Sequence, residues 1–242
     1  MSRCIVSVAD TRYISVLNKL ISSVNKVSDI DIHVTLVDCS SDMIYVNSIP
    51  VENISLTTSN TSTRKTVMEY RTDYLKNNYT CYEEVYNRHN QRAGSRMFKN
   101  LRLLSQRDLL CIHMKYVAVD QLIETYDQVL LLDADTIVNH NPEDIFTHSN
   151  DITISSHDRY KYKVFHEDVT CFTKSSRTCK FIKKLVDNTQ RLTDWQADQM
   201  IFRDEYYNKE IDIDFNILPE GTRTEYPHTS EESMFWANMK DV

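Results

Sequence analysis

Only two of the 242 residues are glycine, Gly94 and Gly221, and they stand more than a hundred positions apart. That scarcity limits what the chain can build. A dinucleotide fingerprint, a Walker P-loop and a G-x-S-x-G nucleophile elbow all need clustered glycines, so that backbone can approach a phosphate or turn sharply. None of them fits here, so a bound nucleotide must be held by side chains or a cation. The balance of 28 Lys+Arg against 35 Asp+Glu gives a net charge of −7, which argues against non-specific nucleic-acid binding. At 26% charged residues, the composition is that of a globular domain with enough chain to bury a core.

The six cysteines form no C-x-x-C pair and no zinc spacing; Cys4, Cys39, Cys111 and Cys171 lie in apolar stretches and read as buried thiols. No window approaches 18 consecutive apolar residues and the N-terminus has no long apolar core, so neither a membrane span nor a leader is expected. A reducing, cytoplasm-like setting is expected, in a soluble cytosolic, bacterial or viral protein.

Residues 3–9 (RCIVSVA) read as a buried strand, residues 11–24 as an amphipathic helix capped by Asp10 or Thr11, and residues 30–37 (IDIHVTLV) as a second strand. That β-α-β order favours a parallel sheet. A short strand is expected near 51–56. Residues 66–106 read as mostly helical, with Arg92, Arg96, Lys99 and Arg102 on one broad face. Residues 109–125 form a helix leading into the apolar strand 128–132 (QVLLL), followed by a short helix near 143–146. Strands are expected at 152–155 and 169–173, and helices at 179–186 and 194–207. No linker or repeat interrupts the chain, so one domain over residues 1–242 is the expected organisation.

The apolar strand 128–132 stops at Asp133-Ala134-Asp135. On an extended or just-turning backbone, positions i and i+2 face the same side. Two carboxylates delivered together make a hard-oxygen site suited to Mg²⁺ or Mn²⁺, which leave positions open for phosphate oxygens and water. The C-terminal edge of a parallel sheet is also where ligands bind in open α/β folds. Taken alone, the tripeptide also reads as solvated acids at a strand end or as a helix cap.

The stretch YDQVLLLDADTIVNHNPEDIF at 126–146 resembles the D-x-D segment of GT-A-fold glycosyltransferases, and is most similar to the glycogenin and lipopolysaccharide galactosyltransferase family, glycosyltransferase family 8. The opening SVADTRYISVLNKLISSV resembles that family's nucleoside-binding turn, and YRTDYLKNNYTCYEEVYNR resembles yeast and plant galactosyl- and xylosyltransferases and small viral relatives. The resemblance implies a Rossmann-like GT-A fold: a mostly parallel sheet flanked by helices.

Carried onto this sequence, the resemblance makes Tyr13 the residue that stacks on a uracil base, with Ala9 and Asp10 lining base or ribose. Without it, Tyr13 is an aromatic on the core face of the first helix. Asp135 would ligate the metal directly, and Asp133 would bridge ribose and metal or bind through water, with Ala134 between them against the donor. Lys115 sits about where the family places a cation on donor phosphate or sugar; a snorkelling surface lysine is the other reading. Asp198 and Gln199 match a D-Q helix start that hydrogen-bonds donor-sugar hydroxyls, or else polar surface on an amphipathic helix. His228, eight residues before Trp236, matches the third metal ligand, or else an exposed loop histidine. The glycine and the K-P of the C-terminal H-x-x-G-x-x-K-P-W signature are absent, and HEDVTCFTKSS replaces the N-S-G strand motif.

The implied activity is metal-dependent transfer of a sugar from a nucleoside-diphosphate sugar, UDP favoured, to a glycan or protein hydroxyl, with retention of configuration. An inverting enzyme would need a carboxylate base, for which Asp168 or Asp158 could serve. The rival class is a GT-A-like protein that binds nucleotide or glycan without transfer. A sugar-1-phosphate nucleotidyltransferase would normally need a glycine-rich loop.

Overall fold

A computed structural model describes residues 1–37, 54–55, 67–70, 106–159, 162–189, 197–225 and 234–237. The first unit is β1 (Arg3–Asp10), α1 (Ile14–Val27) and β2 (Asp31–Val37). Short strands β3 (Ile54–Ser55) and β4 (Val67–Tyr70) follow, then α2 (Gln106–Leu122) and β5 (Gln128–Leu132). After these come β6 (Ile137–Val138), a 3-10 turn at Pro142–Thr147, β7 (Ile152–Arg159) and β8 (Tyr162–Thr173). Helices α3 (Ser176–Thr189) and α4 (Ala197–Asn208) precede β9 (Phe215–Ile217), β10 (Arg223–Glu225) and β11 (Phe235–Ala237).

The main sheet runs β3-β2-β1-β5-β8-β7-β9, with β4 also pairing β2. Every pairing in it is parallel except the two made by β8, which runs antiparallel to both β5 and β7. The expected mostly parallel α/β sheet is therefore what the chain forms. A second, three-stranded sheet joins β10, β11 and β6.

Alternation along the strands explains how both faces are buried. Ile5, Leu130 and Leu132 point toward α1, packing with Leu17, Leu20, Ile21 and Val24. Cys4, Val6, Val129 and Leu131 point the other way, onto Tyr116, Val119, Phe181, Ile182, Leu185 and Phe202 of α2, α3 and α4. A strand covered on both sides reads as a continuous apolar run, which is why QVLLL carries no polar alternation. Burial also raises the thiols of Cys4 and Cys171, with Cys171 pushed up to about 12.

Two local expectations are corrected. Helix α1 begins at Ile14, with Tyr13 as its N-cap and no side-chain capping bond. Asp10 instead accepts the Arg12 amide at 2.8 Å and pairs with the Arg12 guanidinium. The helical reading of 66–106 fails at β4, which is a strand aligned in parallel with β2 from Val34 to Val37. The Arg/Lys stripe of residues 92–102 and Cys39 lie outside the described residues.

Candidate active site

Parallel pairing brings the C-terminal ends of β1, β2 and β5 to one sheet edge. At the end of β5 the backbone turns at once: the Thr136 amide donates to the Asp133 carbonyl at 3.0 Å. The D-x-D is thus the corner of a hydrogen-bonded turn rather than a strand extension. The Asp133 amide donates across to the Asp168 carbonyl at 3.0 Å, tying this turn to β8.

Strand β8 supplies the second layer of the site. Its register with β7 jumps from Ile154↔Thr170 to Ser155↔His166, so Glu167, Asp168 and Val169 form a bulge, while Val169 still pairs Leu132 of β5. A bulge bends a strand and re-aims its side chains. Here it sets two acids beside the D-x-D turn. The Thr170 hydroxyl donates to the Glu167 carbonyl at 3.1 Å within the bulge.

Helix α2 sends Lys115 into this cluster, where its ammonium lies 2.5 Å from the Asp133 carboxylate. Burial alone would lower the Lys115 pKa; the carboxylates of Asp133, Glu167 and Asp198 outweigh it and hold the lysine above its ordinary range. Asp198, in the first turn of α4, is 1% exposed. It accepts the Tyr116 hydroxyl at 2.9 Å and the Gln199 amide at 3.0 Å. Asp168 is gripped by Arg223, whose Nε lies 2.9 and 2.8 Å from its two oxygens.

Five carboxylates therefore surround one lysine, with one arginine at the margin. The consequence falls on Asp135. Burial, and then the charges of Asp133 and Asp168, push its pKa up to about 7, with Lys115 opposing. Glu167 is also raised, first by burial and then by Asp198, and its Oε2 has no hydrogen-bond partner among the described residues. A surplus of buried negative charge is what a divalent cation would relieve.

Along the same edge, Asp10 ends β1 fully buried and Ala9 is 2% exposed. Tyr13, by contrast, is 36% exposed, with the Arg12 guanidinium 5.8 Å from its ring centroid. Its ring belongs to the mouth of this edge and not to the α1 core.

The sequence profile of nucleotide-diphospho-sugar transferases matches residues 76–240. The chain belongs to that family. It is a GT-A-like glycosyltransferase using a nucleotide-sugar donor. No curated protein sequence matches the chain. Among solved structures, mouse xyloside xylosyltransferase 1 in its apo form superposes with a TM-score of 0.56 at 11% identity, over 98% of both chains. Galactosyltransferase LgtC, solved with donor and acceptor sugar analogs, gives 0.53 at 13% identity, over 96% of this chain and 86% of its own. GlyE of Streptococcus pneumoniae gives 0.56 at 14% identity, over 99% of this chain and 55% of its own. At such identities the likeness is one of fold.

Within this transferase, the fold gathers Asp133, Asp135, Asp168, Lys115 and Asp198 into one electrostatic cluster. Gln199 is half-buried at the start of α4, and the Ala134 side chain is buried in the α1-facing core, so only its backbone is left to face a donor. Ala9, Asp10 and Tyr13 lie at the end of β1. His228 and the side chain of Asp158 fall outside the described residues. Sequence reasoning did not single out Glu167, Tyr116 or Arg223. A bulge that turns an acid inward leaves no periodic signal. Arg223 is identified only by its partner, 55 positions away. Among the described residues no three His, Cys, Asp or Glu side chains form a metal cage, and no helix is long and apolar enough to cross a membrane.

Proposed function

We propose that the transferase moves the sugar of a UDP-sugar to a hydroxyl acceptor, with a divalent cation at Asp133–Asp135 and with retention of configuration, and that the whole chain works as a single domain. The observation that carries this reading is the acidic surplus at the sheet edge, where burial and then the charges of Asp133 and Asp168 raise Asp135 to about 7. Mg²⁺ and Mn²⁺ sites of this class need only one or two protein carboxylates, substrate phosphates and water supplying the rest. The donor set therefore fits without a protein cage. Asp133 and Asp135 would hold the cation, and His228 would be the third ligand. Once bound, such a cation stabilises the charge of a departing diphosphate.

The chain's own residues do the remaining work. Tyr13 offers an exposed ring for the base, beside Ala9 and Asp10. Lys115, kept charged by three carboxylates, answers the negative charge of the donor. Asp198 and Gln199, fixed at the start of α4 and braced by Tyr116, present hydrogen-bonding groups for the donor sugar. Asp168 is engaged on both oxygens by Arg223, which favours an anchoring role over that of a free base.

The test is turnover on UDP-glucose, UDP-galactose, UDP-xylose and UDP-N-acetylglucosamine, with Mn²⁺ or with EDTA. One donor should release UDP in Mn²⁺, and the rate should fall at least about 100-fold in EDTA and in Asp135→Ala, matching the several kcal/mol a Lewis acid supplies. Turnover indifferent to both would contradict the metal assignment. A donor that binds intact without any release of UDP would favour a binding protein.

A further inference from the structure

Asp133 answers to two positive charges. It is a cation ligand in the reading above, and the Lys115 ammonium lies 2.5 Å from its carboxylate. An ammonium and a divalent cation drawn to one carboxylate repel each other at close range. Lys115 has little water to retreat to, because its side chain on α2 is only 11% exposed. An enclosed ammonium that gives up one carboxylate needs another, since an isolated buried charge is costly.

Three carboxylates act on Lys115: Asp133 most strongly, then Glu167, then Asp198. Asp198 is engaged on both oxygens, one by the Tyr116 hydroxyl at 2.9 Å and the other by the Gln199 amide at 3.0 Å. Glu167 is different. Its Oε2 is buried without a hydrogen-bond partner among the described residues. The β8 bulge holds it in the cluster: the register with β7 jumps from Ile154↔Thr170 to Ser155↔His166, and the Thr170 hydroxyl donates to the Glu167 carbonyl at 3.1 Å. A buried carboxylate oxygen left without a donor is unfavourable, and an ammonium, with three donors, can supply one. Burial and then the charge of Asp198 raise the Glu167 carboxyl, with Lys115 opposing. An ammonium drawn closer therefore favours its ionised form, the proton passing to water.

We propose that Glu167 is a positioning residue that gives Lys115 a second berth: the ammonium rests on Asp133 until Asp133 turns to a divalent cation, and then pairs with Glu167. The proposal rests on the cation reading above and adds the residue that couples cation binding to the place of the lysine. Glu167 acts through Lys115, which stays charged and inside the cluster in both positions.

The experiment is a double-mutant cycle on the full chain, with Mn²⁺ alone as the probe and the EPR signal of the free ion as the readout. Its members are wild type, Glu167→Gln, Lys115→Met and the double variant. With Lys115 in place, Glu167→Gln should weaken Mn²⁺ binding about tenfold or more, because the ammonium has no second berth and stays on Asp133. In the Lys115→Met background the same substitution should change binding less than about threefold, the difference being the coupling that a cycle isolates. Lys115→Met alone should bind Mn²⁺ more tightly than wild type. Glu167→Asp keeps the charge but withdraws it by one methylene, and should lie between wild type and Glu167→Gln; it also completes the cycle if the amide variant does not fold. A loss equal in both backgrounds would make Glu167 a distant charge and overturn the proposal, as would no loss in either. A second titration at saturating UDP separates the two readings. Mn²⁺ that binds none of the proteins, with UDP or without, contradicts the cation assignment itself.

Discussion

Asp135 is the residue at which the site's chemistry and the fold's stability pull apart. Its folded pKa stands near 7 against an ordinary 3.8, raised by burial and by the Asp133 and Asp168 charges. A raised acid favours the folded state while protonated, so its contribution is lost as pH climbs from about 4 through about 7. Without divalent cation, Asp135→Asn should therefore unfold at a higher temperature than wild type at pH 8, and the gap should shrink as pH falls toward 4. Thermal scans across that range would check it; a variant no more stable than wild type at pH 8 would contradict the crowding of charge. The pair itself was legible in the sequence, because both aspartates sit within three residues at the end of an apolar strand. Lys115 and Asp198 were reached only through resemblance, and Glu167, Tyr116 and Arg223 were not reached at all. Their roles come from contacts between elements far apart in sequence, such as Tyr116 with Asp198.

Among the elements, α4 shows how a buried acid can hold a junction. Glu205 is 1% exposed and accepts the amides of Ile211 at 2.7 Å and Asp212 at 3.1 Å, while its other oxygen meets Lys184 of α3 at 3.2 Å. The chain leaves the helix through two non-glycine residues with positive φ, Lys209 at 52° and Asp212 at 58°. Carboxylate bonds that fix this turn offset the unfavourable backbone. Glu205→Ala would take the acceptor from two part-buried amides and leave Lys184 with Glu210 alone, and should cost about 2 kcal/mol in denaturant unfolding; a loss under about 0.5 kcal/mol, the range of an exposed pair, would contradict that role. Helices α1 and α3 were readable because their apolar stripes repeat every three to four residues. Strand β4 was not, because four residues give too short a period and its strand conformation comes from pairing with β2.

For the whole molecule, a sheet covered on both faces has only its edges left for ligands, and the edge where β1, β5 and the β8 bulge meet carries the charge. With no glycine cradle, the chain meets a diphosphate with acids that call for a cation and with Lys115. The most direct test is thermal unfolding against UDP, GDP, CMP and dTDP, each with and without Mn²⁺. A ligand at 100 times its Kd adds about 2.7 kcal/mol, a clear shift. A Mn²⁺-dependent shift with UDP is expected, and it should disappear in Asp135→Ala. No shift with any of the four nucleotides in the presence of Mn²⁺, or an equal shift in Asp135→Ala, would contradict it.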